Sequence, residues 1–373
     1  MVRYPLGGMM SYVLQYLLGF RRLGHDVWFV ERATHPDECY DASRRVMSDD
    51  ASYGLRVVRR LLSRYGLGER WCFADVTGRY FGRRRAEIQD VFDTADVFLD
   101  MGTHGTWCEE ATGAGLRVLL DGEPGFNQIR MERRKGAGER LTPYDRYYTN
   151  GMNVGSSRST APTAGVSWGH VLHPVVPDLF QTQAPRARAP ITTVMNWRSH
   201  APIEYAGVTY GQKDVEFAQF ESLPTRVSAR MEIAVAGKDV PKRRLQRLGW
   251  TVRDGHAITA SFDSFRDYVF GSLGEFGVCK NVFVATRTGW FSDRSAAYLA
   301  AGRPVVLQDT GFSDHLPVGR GLFAVGNADE AAEVIERIWQ EPRVHGAAAV
   351  AIAREHLDAR VVLGRFLTEL GVA

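Results

Sequence analysis

The segment Gly289-Trp-Phe-Ser-Asp-Arg-Ser295 gathers groups that can hold an anion. It reads as a loop opening a helix, which Gly302 stops ahead of Pro304 and an apolar strand. Ser292 or Asp293 is placed to cap that helix. Its first-turn amides carry the positive end of the helix dipole and suit a diphosphate. Arg294 adds charge beside them. An ordinary capped helix has the same pattern, so the segment needs support from elsewhere. Arg198 follows a strand expected over Thr192–Trp197, and Lys213 comes fifteen residues later. Two phosphates need such cations, because a buried dianion without partners is costly. Lys280, near a strand expected over Asn281–Thr286, is a further cation within reach. Asp309 and Thr310, after the strand Pro304–Leu307, can bond hydroxyls, and Gly311 lets their loop come close.

A proton acceptor is the second requirement of transfer to a hydroxyl. His104 is the leading choice. It stands in Met101-Gly-Thr-His-Gly-Thr106, a loop directly after the strand Val97–Asp100. An imidazole near neutrality can take the proton. Asp121 is the rival, at the end of the strand Val118–Asp121, with Glu123 two residues on. Met101 and Glu123 are read as acceptor contacts. His170 and His173 lack further ligands at metal spacing, so no metal is expected.

These groups all sit in loops that follow strands. Helices and short apolar strands alternate along the chain, which predicts parallel sheets with helices on both faces. The fold class is α/β, with two Rossmann-like doubly wound domains facing across a cleft. Open sheets of this kind bind ligands beyond the carboxyl ends of their strands. The first domain is expected over residues 1–173. Pro174, Pro177, Pro185 and Pro190 mark a linker over 174–190. The second domain spans 191–350, and helices over 351–373 are expected to pack back on the first.

Composition narrows the function. The chain has 373 residues and a net charge of +3, with no basic run suited to nucleic acid. The N-terminal residues lack a signal-peptide pattern, and no apolar run reaches the ~18 residues that span a bilayer. Cys39, Cys72, Cys108 and Cys279 are scattered and read as free thiols, in keeping with a cytoplasmic location. No GxGxxG follows a strand, which argues against a dinucleotide oxidoreductase.

Ala300-Ala-Gly-Arg-Pro-Val-Val306, followed by Asp309-Thr-Gly311, resembles the donor-domain signature of GT-B glycosyltransferases. Phe291 stands where that family often has Phe. Gly7-Gly8 before the first helix and Gly24-His25-Asp26-Val27 after it match the family's layout. The resemblance implies a glycosyltransferase, for hexosyl or pentosyl transfer. Its donor would be a nucleotide sugar and its acceptor a small hydroxylated molecule, as in natural-product glycosylation. It implies that Gly8, Arg198, Lys213, Gly237, Lys280, Trp290–Ser295 and Asp309–Gly311 face the donor. No cofactor is implied, since the nucleotide sugar is a co-substrate, and no structural metal. A homodimer is compatible with this reading. A nucleotide-sugar epimerase and an inactive binding protein of the same fold are the alternatives.

Two departures stand out. Retaining members carry two Glu eight residues apart around this helix, where this chain has Gly289 and Ala297. That points to an inverting course, or to a sugar held by other groups. Residues 1–6 also make a poor first strand. Either that strand is degenerate, or it is encoded ahead of residue 1.

Overall fold

The computed structural model describes residues 1–181 and 188–372. Its C-terminal half is built on six parallel strands. In sheet order they are Thr251–Asp254, Met231–Ala236, Ile191–Asn196, Gly274–Gly277, Val305–Gln308 and Leu322–Val325. Numbered by sequence within this sheet the order is 3-2-1-4-5-6, that of a dinucleotide-binding sheet. The order reverses between Ile191–Asn196 and Gly274–Gly277. The loops after those two strands therefore flank the crevice.

The N-terminal half has a four-stranded parallel sheet, Val97–Asp100, Leu116–Asp121, Arg146–Thr149 and Gly169–His170, paired in that order. A separate sheet holds Phe29–Arg32 beside Trp71–Ala74, with Tyr80–Phe81 at its edge. The helix Gly7–Arg22 buries Leu14, Tyr16 and Leu17 against this half. The helix Ala359–Leu370 lies against it, and Phe366 meets Phe20 and Tyr148 at ring distances of 6.4 and 4.8 Å.

One expected element is corrected. Asn281–Thr286 is not a strand: Asn281–Ala285 is a short helix, and the strand lies earlier, at Gly274–Gly277. Val282-Phe283-Val284 has β propensity, but tertiary position overrides it. The buried slot between Ile191–Asn196 and Val305–Gln308 is taken by Gly-Glu-Phe-Gly, whose four residues are all buried. The first strand of the N-terminal half is Phe29–Arg32. Part of the linker expected over 174–190, including Pro185, lies outside the described residues. Within the rest, Pro177–Phe180 forms a 3-10 turn that buries Leu179 and Phe180.

Candidate functional site

The helix Asp293–Ala300 begins at the mouth of the crevice. Ser292 occupies its N-cap position, but the Ser292 hydroxyl accepts no hydrogen bond from the first turn. The first-turn amides are thereby left for another acceptor. Ser295 in that turn is fully buried, and its hydroxyl has no partner. Trp290 and Phe291, just ahead, are anchors: Trp290 packs on Phe283 at 4.9 Å between rings, and Phe291 on Phe312 at 5.4 Å.

Three cations lie near this helix end. Arg294 pairs with the fully buried Glu275 of the strand Gly274–Gly277. Lys280 pairs with Glu123, so one ion pair links the two halves. Lys213 differs: it has no ion-pair partner among the described residues. Burial pulls its pKa down to about 8, and Arg294 and Lys280 push in the same direction. A half-buried ammonium among other cations is a ready seat for an anion. Arg198 points elsewhere. It binds Asp214 at 2.6 Å and Asp239 at 3.4 Å on an exposed edge.

The floor under Lys213 is a polar network that the sequence did not suggest. Asn281 donates to Glu216 at 2.6 Å, and Gln308 also donates to Glu216. The Gln308 side-chain Oε1 accepts from the Cys279 backbone N–H at 3.1 Å. The Cys279 thiol is pushed up to about 12 by burial, which makes it inert as a nucleophile. Gln212 accepts from Ser199 at 2.9 Å and ties the loop after Ile191–Asn196 to the helix carrying Lys213. Polar residues in loops far apart in sequence carry no spacing signal, so only the fold brings them together. Gly237 has positive φ and packs beside Asn196 in that same loop region. Asp309 closes its own turn, accepting from Gly311 at 2.8 Å and Ser313 at 2.8 Å, while Thr310 donates to the Trp290 carbonyl at 2.6 Å. Gly8 faces open space at the start of the first helix.

The opposite wall comes from the N-terminal half. Asp121 is fully buried and receives four hydrogen bonds: from the Glu123 amide at 3.0 Å, Asn127 at 2.7 Å, Gln128 at 2.8 Å and Thr149 at 2.9 Å. It organises the loop that presents Glu123. Asp121→Asn replaces one acceptor oxygen by a donor and leaves a donor pair facing each other. The expected cost is about 1–3 kcal/mol of stability, read as a lower midpoint in urea unfolding.

His104 takes a positive φ of 55° in its loop, and its Nε2 is buried without a partner. Burial lowers its pKa, against the opposing pull of Asp121 and Asp100. It is therefore neutral at pH 7 and able to accept a proton. Met101 is half-buried at the end of the same strand. Phe126 and His200 stack at 5.0 Å with a 24° interplanar angle, a second contact across the crevice.

The two positions that lack the carboxylate pair are physically closed to one. Gly289 has φ +75°, and a Cβ there would lie 2.8 Å from the Asn153 backbone nitrogen. Ala297 is 1% exposed inside the helix, where a Glu would be a buried charge. Asn153 also donates to the Thr288 carbonyl through its amide at 2.9 Å and bonds His315 at 2.7 Å. Gly289→Ala should therefore cost stability by about 1–3 kcal/mol, visible as a drop in melting temperature.

No protein-family model and no curated protein matches the chain. Solved structures do. HepE from Anabaena in complex with UDP-glucose superposes with a TM-score of 0.53 and 12% identity, over 93% of this chain and 99% of that one. HepE in complex with UDP gives 0.51 and 11%, over 94% and 100%. Sucrose-phosphate synthase from Thermosynechococcus elongatus gives 0.51 and 12%, over 98% and 94%. The fold is GT-B. The doubly wound sheet of the C-terminal half is that expected from the sequence, while the parallel strands of the N-terminal half are divided between two sheets.

Proposed function

We propose that the protein transfers a glycosyl group from a nucleoside-diphosphate sugar to a hydroxyl of a small acceptor. The observation that carries this reading is the uncapped start of Asp293–Ala300 together with Lys213, which senses the charge of Arg294 in that helix and has no ion-pair partner among the described residues. UDP and UDP-glucose bound to HepE, a protein of the same fold, support the choice of ligand. The half over 191–350 is assigned to the donor and the half over 1–173 to the acceptor. The diphosphate takes the first-turn amides, Lys213 and Arg294.

The reaction is direct displacement. The acceptor oxygen bonds to the anomeric carbon while the bond from that carbon to the diphosphate breaks. The acceptor proton passes to a base, and the leaving diphosphate keeps the electron pair. The helix end and the two cations stabilise the charge it gains. His104 is assigned as base, because its unpartnered, neutral imidazole can take a proton. Asp121 is less suited, since its lone pairs are already engaged by four donors. Displacement in one step inverts the anomeric centre, in keeping with closure of positions 289 and 297 to carboxylates. Catalysis without a metal is part of the proposal, as is action in the cytoplasm.

The test is incubation with a panel of nucleotide sugars and hydroxylated acceptors, following release of free nucleoside diphosphate. At least one donor should turn over, with inverted product. A product of retained configuration would remove the single-displacement mechanism, and absence of turnover with every donor would count against transfer itself.

A further inference from the structure

The start of the helix Asp293–Ala300 has two unlike sets of neighbours. Lys213 and Arg294 sense each other and form the cationic set. The other set belongs to the helix Gly7–Arg22, which touches Asp293–Ala300 across the crevice. There the sign of the charge reverses. Asp293 is half-buried, and its carboxylate has no hydrogen bond and no ion pair among the described residues. Its neighbour Arg294 pairs with Glu275 instead. The charges felt most at Tyr12 are those of Asp293 and Asp121, both negative. Asp293 is also the charge felt at His173. His173 supplies no positive charge in return, because burial lowers its pKa and leaves the imidazole neutral at pH 7. The walls of this corner are aromatic. Tyr12 meets His173 at 5.5 Å between rings, and His173 meets Trp290 at 6.3 Å. His173 and Trp290 are both more than nine-tenths buried, yet His173 Nδ1 and Trp290 Nε1 have no hydrogen-bond partner. Buried polar atoms without partners are rare. The loop after Leu116–Asp121 borders the same corner: a Cβ at Gly122 would stand 3.8 Å from the Tyr12 hydroxyl.

We infer that Asp293, with Tyr12, His173 and Trp290, binds a protonated amine of the substrate and a hydroxyl beside it. This inference rests on the glycosyl-transfer reading and names the substrate class of that site. An unpaired carboxylate next to the seat of a diphosphate repels it. A ligand that brings a positive group to Asp293 turns this repulsion into attraction. Aromatic walls suit the same charge, since aromatic rings attract cations. The Nδ1 of a neutral imidazole can accept from the ammonium, and the Trp290 indole N–H can donate to the adjacent hydroxyl. A sugar bearing hydroxyls alone would satisfy the indole and the imidazole but leave the Asp293 charge without a counter-charge. The transferred sugar and the acceptor meet in this crevice, so the amine belongs to one or the other.

Release of free nucleoside diphosphate tests this in two arms, with each donor offered to each acceptor. In the donor arm, UDP-, GDP- and dTDP-glucose are compared with the same nucleotides carrying amino-deoxyglucoses, the amino group replacing each free ring hydroxyl in turn. In the acceptor arm, the aminocyclitol streptamine is compared with scyllo-inositol. In one arm the amine should be used with a kcat/KM at least ~10-fold above that of its hydroxyl counterpart, and that arm identifies the carrier of the amine. Asp293→Asn should lower kcat/KM for the amine by ~10–100-fold, the range for one hydrogen bond to a charged group, and so erase the preference. Affinity for UDP, GDP or dTDP alone should rise by ~3-fold in the same variant, because a like charge is gone; a general loss of structure would lower it. Equal or better use of the hydroxyl compounds in both arms, or an amine preference that survives in Asp293→Asn, would overturn the proposal and leave glycosyl transfer standing. No release in any combination would remove both.

Discussion

His104→Ala should lower kcat by about 10²–10⁴-fold, the usual contribution of a positioned general base. Affinity for the nucleoside diphosphate should stay within ~3-fold, because His104 belongs to the wall opposite the cations. The expected pH profile follows from the direction of its shift. Burial lowers the imidazole pKa below its usual value of about 6.5. The base form is thus complete at pH 7, and activity falls only as the medium turns more acidic than the usual imidazole range. In His104→Ala that acidic limb should vanish. If kcat is unchanged, or the limb persists, another group is the base. Glu123, held across the crevice by Lys280, is the next to replace.

Lys213→Met should weaken nucleoside-diphosphate binding by about 10–100-fold, the range for one charge-assisted hydrogen bond to a charged group. Folding should be little affected, since the ammonium has no ion-pair partner to lose among the described residues. The lysine is charged below its pKa of about 8 and neutral above it. Affinity should therefore decline as pH rises beyond about 8, and Lys213→Met should flatten that decline. Stability runs the other way. The unfolded lysine holds its proton to a higher pH than the folded one, so this group adds stability as pH rises from about 8 toward the usual lysine value of about 10.4. Arg198 offers the contrast. Its guanidinium is already engaged by Asp214 and Asp239, and Arg198→Ala should change affinity far less than Lys213→Met.

The fold was legible because its signals are local. The apolar run Met231–Ala236 is a strand and the amphipathic run Ala328–Gln340 is a helix, as their residue patterns dictate. The bounds of the helix Asp293–Ala300 were readable from its start and stop residues, although the N-cap hydrogen bond expected from Ser292 or Asp293 does not form. The strand Gly274–Gly277 was not, because Gly-Glu-Phe-Gly has little β propensity and is a strand only by its central, buried place. The site was legible in part. A cation at 213 and a helix start at 292–293 are sequence features, but the uncapped state of that helix end is not: the expected cap by Ser292 or Asp293 is absent, and the nearness of Lys213 to it is a product of the sheet order. Likewise, nothing in the residue types distinguishes Arg198 from Lys213. The difference lies in Asp214 and Asp239, which the fold turns toward one and away from the other. Asn153, which closes position 289 to any side chain, sits 136 residues earlier and has no sequence signature.

The most direct test of the donor site is calorimetric titration of the unmodified protein with UDP, GDP, ADP, CDP and dTDP at neutral pH. The account predicts that at least one of them binds with a micromolar dissociation constant, and that the heat of that binding is lost in Lys213→Met. Binding that is equally tight in Lys213→Met, or no binding of any of the five below the millimolar range, would contradict it.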